Sequence, residues 1–123
     1  MTISQAISRV DDLRHNVYSH QDKIRWISTL EHTVVRQVLQ EHEGVEIYFD
    51  GYTPEKDMQT QLMVKAPYDD IYIRGMEAMI DFHNGEIASY NGAIALFNAA
   101  FDNFKAWYTR THMPLQKGRR FLF

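Results

Sequence analysis

Apolar positions along the chain fall into three helical patterns separated by stretches of a different character. Ile3, Ala6, Ile7, Val10 and Leu13 recur at helical spacing, which predicts a first helix over 3–13 with Thr2 or Ser4 as its cap. His15-Asn16-Val17-Tyr18 reads as a linker. Ser19 then has the chemistry of an N-cap, with Asp22 three positions on as a weaker version of the capping box. A second helix is expected from about His20 to Glu41. Its inner face is Ile24, Ile27, Leu30, Val34, Val35, Val38 and Leu39, with Trp26 beside the stripe, and Gly44 closes it.

From 44 to 66 the 3.6-residue period is lost. Val45, Ile47 and Phe49 alternate with Glu46 and Tyr48 before Asp50-Gly51, and Leu62-Met63-Val64 forms a second short apolar run. This predicts an irregular loop or a short β-hairpin. Pro67 suits the first turn of a further helix, where its missing N–H costs nothing, and Asp69 and Asp70 suit the positive end of that helix's dipole. Beyond it runs the longest in-phase stripe of the chain: Ile73, Met76, Ile80, His83, Ile87, Tyr90, Ile94, Phe97, Phe101, Phe104 and Tyr108. Asn84-Gly85 and Asn91-Gly92 interrupt it, each glycine at a cost of about 1 kcal/mol inside a helix. The choice is one long helix or a helical hairpin. The hairpin is favoured, with helices over about 68–90 and 93–112. The expected fold is thus mainly α: a small bundle of about four helices spanning 1–114 as one domain, followed by an extended tail, 115–123.

Composition narrows the possible functions. The 123 residues include no cysteine, which excludes disulfides and thiolate metal sites. The net charge of −3 is unevenly spread. Residues 110–123 hold Arg110, Lys117, Arg119 and Arg120 and no acid, so the tail carries +4 and the rest −7. An acidic body opposes phosphate binding over a broad surface. No apolar run is long enough to span a bilayer, and the first residues lack the features of a signal peptide.

Candidate chemistry is sparse. A bundle di-metal site needs paired Glu-x-x-His motifs. The chain offers Asp12-x-x-His15 once, His83 and Glu86 in reverse order, and Glu41-His42-Glu43, whose members do not share a helix face. His83 on the apolar stripe reads as a core-edge imidazole hydrogen-bonded to backbone or a neighbour. There is no Gly-x-Ser-x-Gly and no phosphate-binding glycine loop. The reading is therefore of a protein without catalytic residues, cofactor or metal. What is left over is apolar and basic surface. Phe97, Phe101, Phe104, Trp107 and Tyr108 exceed what one helix of a small domain readily buries. Lys117-Gly118-Arg119-Arg120-Phe121-Leu122-Phe123 joins basic residues to an apolar cluster, which suits docking on another protein.

The stretches Ala66-Pro67-Tyr68-Asp69-Asp70-Ile71-Tyr72, Ile80-Asp81-Phe82-His83-Asn84-Gly85-Glu86, Tyr90-Asn91, Ala95-Leu96-Phe97-Asn98 and Trp107-Tyr108-Thr109-Arg110-Thr111-His112-Met113-Pro114 together resemble small head-to-tail connector proteins of tailed phages of Gram-positive bacteria. The two short N-terminal helices are similar in layout. The resemblance implies a mainly helical subunit of a ring, commonly of twelve copies, docked under the portal at the capsid vertex. The ring would extend the DNA channel and offer a platform to the next neck or tail protein. The expected partners are the portal protein, neighbouring copies, a downstream neck or tail protein, and phage DNA that passes without sequence-specific binding. The expected location is the virion neck, after synthesis in the host cytoplasm. On this reading Arg119, Arg120, Phe121, Leu122, Phe123 and Trp107 contact the portal or a neighbouring subunit. Glu46, Asp50, Glu55 and Asp57 are the candidate acids lining the channel, where like charge lets DNA slide. The alternative is a small DNA-binding or packaging accessory protein, for which the tail supplies the basic residues.

Overall fold

The structure is a computed structural model that describes residues 1–39, 49–53 and 58–111. Among the described residues there are four α-helices: α1 (Ile3–Leu13), α2 (His20–Val34), α3 (Asp70–His83) and α4 (Ile87–Thr111). A π-helical turn, Val35–Leu39, continues α2. The mainly helical bundle expected from the periodicity is what forms.

Caps set the helix starts. Thr2 Oγ1 accepts from the Gln5 amide at 3.1 Å, while Gln5 Oε1 accepts from the Thr2 amide at 2.9 Å, a complete capping box. Ser19 Oγ accepts from the Asp22 amide at 3.1 Å. The Asp22 carboxylate turns to Arg25, 3.3 Å away. The Ile3 and Ser4 amides donate to the carbonyls of Thr60 and Met58, and the Leu62 amide donates to the Met1 carbonyl. The first turn of α1 is thereby satisfied by the 58–62 segment, which the bridge between Thr2 and Gln61 ties alongside.

Helix α3 is the central element. It packs against α1, α2 and α4, and it buries Ile71, Tyr72, Ile73, Gly75, Met76, Ala78 and Ile80. Ile3, Ile7 and Val10 of α1 and Ile24, Ile27 and Val34 of α2 complete the core, together with Leu62 and Val64 from the connection and Phe101, Phe104 and Tyr108 from α4. At 25 residues α4 is about 37 Å long against about 21 Å for the 14-residue α3. It therefore overhangs, and its far end meets Tyr68, on which Trp107 stacks at 5.0 Å.

Three expectations need correction or restriction. The helical hairpin forms, but it breaks at Asn84-Gly85, not at Asn91-Gly92. Gly85 takes φ +76, the left-handed conformation that lets the chain reverse, whereas Gly92 lies within α4. Pro67 does not sit in the first helical turn. Asp69 is the N-cap of α3, so Pro67 belongs to the turn before it. In the 44–66 connection the described parts, 49–53 and 58–66, contain no strand beyond the isolated bridge. The end of the second helix near Gly44, the alternating Val45 and Ile47, and the tail 115–123 lie outside the described residues.

Candidate functional site

Glu31 has no exposed surface, although it lies on the apolar stripe of α2. Three donors converge on its carboxylate. Tyr72 Oη donates to Oε1 at 2.6 Å, and Tyr52 Oη and the Met63 amide donate to Oε2 at 2.8 and 2.9 Å. Tyr72 Oη in turn accepts from the Val64 amide at 2.9 Å. Burial, and then the adjacent Glu31 charge, push the Tyr72 phenol far above its ordinary range. The cluster fastens residues 52 and 63–64 to α2 and α3. Its parts are fully engaged with one another, so it is structural in character.

Two ion pairs fix the other side of α1. Lys23, nearly buried, donates to Asp11 at 2.7 Å, and Arg14 donates to the buried Asp81 at 2.9 Å. Burial by itself would raise the Asp11 carboxyl. The hydrogen bonds from Lys23 and Asn16, with the Lys23 charge, outweigh that and hold it below its ordinary value. Arg25 lies near Asp22 and Arg74 near Glu77, so these four cations all face carboxylates.

Among the described residues one surface feature is markedly apolar. Between α2 and α4 runs a cleft of about 180 Å3, walled by Trp26, Leu30, Tyr90, Ile94 and Phe97 and floored by the small residues Gly75 and Ala78 of α3. Gly75 lets the helices approach there: a Cβ at this position would stand 2.7 Å from Leu30 Cδ1. The cleft leads to one end of the bundle. Arg14–Asp81 and the 2.6 Å hydrogen bond from Tyr18 Oη to Asn84 Oδ1 draw the end of α1 and its linker onto the α3–α4 turn. On these segments and the start of α4, large apolar side chains have much of their surface in solvent: Val17 (89% exposed), Ile87 (72%), Phe82 (58%) and Leu13 (47%). Isolated exposed apolar residues are ordinary; several on adjoining segments are the feature that a partner could cover. Trp26, Tyr18, His83, Phe82 and Tyr90 link the two features through ring contacts, with Trp26 and His83 stacked 5.5 Å apart and 10° from parallel. His83 is thus an exposed imidazole that sits at the edge of the core through its stack on Trp26.

Of the contact residues inferred from the sequence, Trp107 is half-buried between Tyr68 and Phe104, which leaves part of its indole on the surface. Arg119, Arg120, Phe121, Leu122 and Phe123 lie outside the described residues. So do Glu46, Glu55 and Asp57 of the channel candidates. Asp50 is described: it is exposed on the rim of a polar cleft with Arg25, Ser28 and His32. The apolar cleft and the exposed apolar set were not singled out in the sequence. Phe82 and Ile87 carried a signal for the latter, since they flank the Asn84-Gly85 turn and a turn exposes what it carries. Comparison with family models, with curated proteins and with solved structures returned no match for this chain.

Proposed function

We propose that this protein is a structural subunit of a tailed-phage neck: a head-to-tail connector that assembles as a ring under the portal, carries the DNA channel onward and presents a platform to the next neck or tail protein. The observation that carries the reading is the exposure of Leu13, Val17, Phe82 and Ile87 on segments joined by Arg14–Asp81 and Tyr18–Asn84, with Phe82 against Tyr90 at the apolar cleft beside Trp26. Surface of this kind is stable in water only at a cost, and covering it with another protein recovers that cost. A ring supplies such cover through heterologous contacts, in which one face of a copy meets a different face of the next. The resemblance carried by residues 66–114 supplies the identity of the assembly.

Arg14 and Lys23 donate to Asp81 and Asp11, so these two cations are engaged away from phosphates. In this proposal the ring passes DNA without gripping it, and the tail residues Arg119 to Phe123 with Trp107 serve protein contacts. Sedimentation of the protein with a portal protein from the same source tests the reading. Co-sedimentation is expected, and Phe82→Asp with Ile87→Asp is expected to lower it by at least about tenfold, since each carboxylate would have to enter an apolar contact. Binding to duplex DNA at moderate salt with no portal association would replace this reading by that of a packaging accessory protein.

A further inference from the structure

Residues 87–101 carry no charged side chain over about four turns of α4, although charged residues make up 24% of the chain. Burial does not explain this. Ile87, Ala88, Gly92, Ala95, Leu96 and Ala99 are all exposed. At about 100° per residue, Gly92 and Leu96 each lie about 160° around the helix from Ile94, which lines the apolar cleft. Helix α4 therefore has two uncharged faces on opposite sides. One is concave, the cleft that it forms with α2. The other is convex: Leu96, 52% exposed, stands between Gly92 and Ala99, which lie one turn to either side of it. Nothing lies within 4 Å of a Cβ built at Gly92, so the surface beside Leu96 is open.

The two faces match in size and in charge. An apolar cavity of about 150 Å3 holds a benzene ring, so the cleft of about 180 Å3 has room for one branched or aromatic side chain. It is too small for most small-molecule ligands, whose pockets run from about 300 to 1,000 Å3. No charged residue lines it. Leu96 lies on the far side of α4 from its own cleft, whereas Leu96 of a second copy has free access to it. Residues 1–109 carry −7, so two copies repel over most of their surfaces, and two uncharged faces are where they approach at least cost. A two-fold pairing of α4 with α4 would set convex face on convex face and leave both clefts empty.

We infer that copies of this chain join head to tail, with Leu96 of one copy seated in the cleft between α2 and α4 of the next. Because the two faces lie on opposite sides of one helix, each added copy still offers a convex face at one end of the array and a cleft at the other. Such a contact repeats until it closes on itself. The inference rests on the ring reading for that closure and deepens it by naming the faces that meet. The contact itself is tested without the portal, so either test can fail while the other stands.

The chain has no cysteine, so single-cysteine variants report on this contact alone. Ala99→Cys marks the convex face, Thr29→Cys the cleft, and Ser8→Cys an exposed control position on α1. Tagged Ala99→Cys protein is mixed with each of the other two at high concentration and oxidised. Disulfide dimers that join 99 to 29 are expected to exceed those that join 99 to 8, and those that join 99 to 99, by about fivefold or more. Leu96→Asp added to the tagged chain is expected to lower the yield of 99-to-29 dimers by about tenfold, since a carboxylate would have to enter an apolar cleft. Circular dichroism checks that this variant keeps its helices, and the comparison of the three dimers decides without it. An excess of 99-to-99 dimers, a 99-to-29 yield no higher than the control, or a yield within about twofold after Leu96→Asp in a folded chain would each overturn the inference.

Discussion

Glu31→Gln is nearly isosteric, yet it removes an acceptor that the core cannot replace. In the native arrangement two carboxylate oxygens accept from three donors, at 2.6, 2.8 and 2.9 Å. The best placement of the amide puts its oxygen where Oε2 stands, to serve Tyr52 and Met63. Its NH2 group then faces Tyr72 Oη. That hydroxyl already accepts from Val64, so it would have to accept a second time and leave its own proton without a partner. One charge-assisted hydrogen bond is lost, about 1.5–3 kcal/mol, and the two that remain become neutral and weaker. The sum is about 2–4 kcal/mol. A chain of this length has about 6–18 kcal/mol of total stability, so the loss is a large fraction. The midpoint of thermal unfolding should fall by about 8–16 °C. Urea and thermal unfolding followed by circular dichroism measure both quantities. Tyr52→Phe provides the scale, because it removes one donor and leaves the acceptor served; about 1 kcal/mol is expected. A Glu31→Gln protein within about 0.5 kcal/mol of the native one would refute the reasoning, because surface substitutions have effects of that size and a buried, fully engaged carboxylate does not.

Other consequences follow from the same geometry. The folded chain keeps the Tyr72 phenol protonated well past its ordinary value of 10.0. Its stabilising contribution is therefore complete below about pH 10 and is lost as pH rises above it, where the unfolded chain releases the proton and the folded chain does not. Tyr72→Phe should lower stability at pH 7 and flatten its decline above pH 10, as seen in urea titrations across that range. Asp11 has the opposite sign: its lowered pKa adds stability above its ordinary value of 3.8 that disappears as pH falls below it. Asp11→Asn should remove that acid dependence and cost about 1 kcal/mol or less at pH 7, because Asp11 is 36% exposed and water screens its pair with Lys23. Gly75→Ala presses on Leu30 Cδ1, the end of a half-buried side chain that can swing into the cleft. The gain of about 1 kcal/mol in helix propensity then offsets most of the displacement, so stability should stay within about 1 kcal/mol while the cleft narrows. A loss above about 3 kcal/mol on unfolding would show that Leu30 cannot move.

The elements were legible where local chemistry decides them. Ile3–Leu13 and the start of the second helix at His20 follow from Thr2, Ser19 and the apolar spacing, and the structure has both. The stripe from Ile73 to Tyr108 indicates helix on both sides of residues 84–86 but does not locate the reversal. An in-phase stripe places its members on one face only if the helix is unbroken. Here Gly85 turns the chain, so His83 and Ile87 reach solvent while Ile80 and Phe101 stay buried. Glu31 was within reach of the same arithmetic, since Ile24, Ile27, Glu31, Val34 and Val38 step by 3, 4, 3 and 4. What periodicity could not supply was its partners, Tyr52 and Met63, which arrive from a connection without a period. The apolar cleft was equally hidden, because it depends on two small residues of one helix lying between the larger side chains of two others. The inferred contact residues stand mostly in segments beyond the described ones, and Trp107 is the one that the fold places, partly covered, at its surface.

The claim on which the account rests is that the exposed apolar side chains Leu13, Val17, Phe82 and Ile87, and the cleft beside Trp26, are there to be covered by assembly at the portal. Negative-stain images of portal rings, taken alone and after mixing with this protein, test it most directly. An added tier of density is expected on one face of the ring, coaxial with the channel, and lost with Phe82→Asp and Ile87→Asp together. Portal rings that look the same with and without the protein would contradict it.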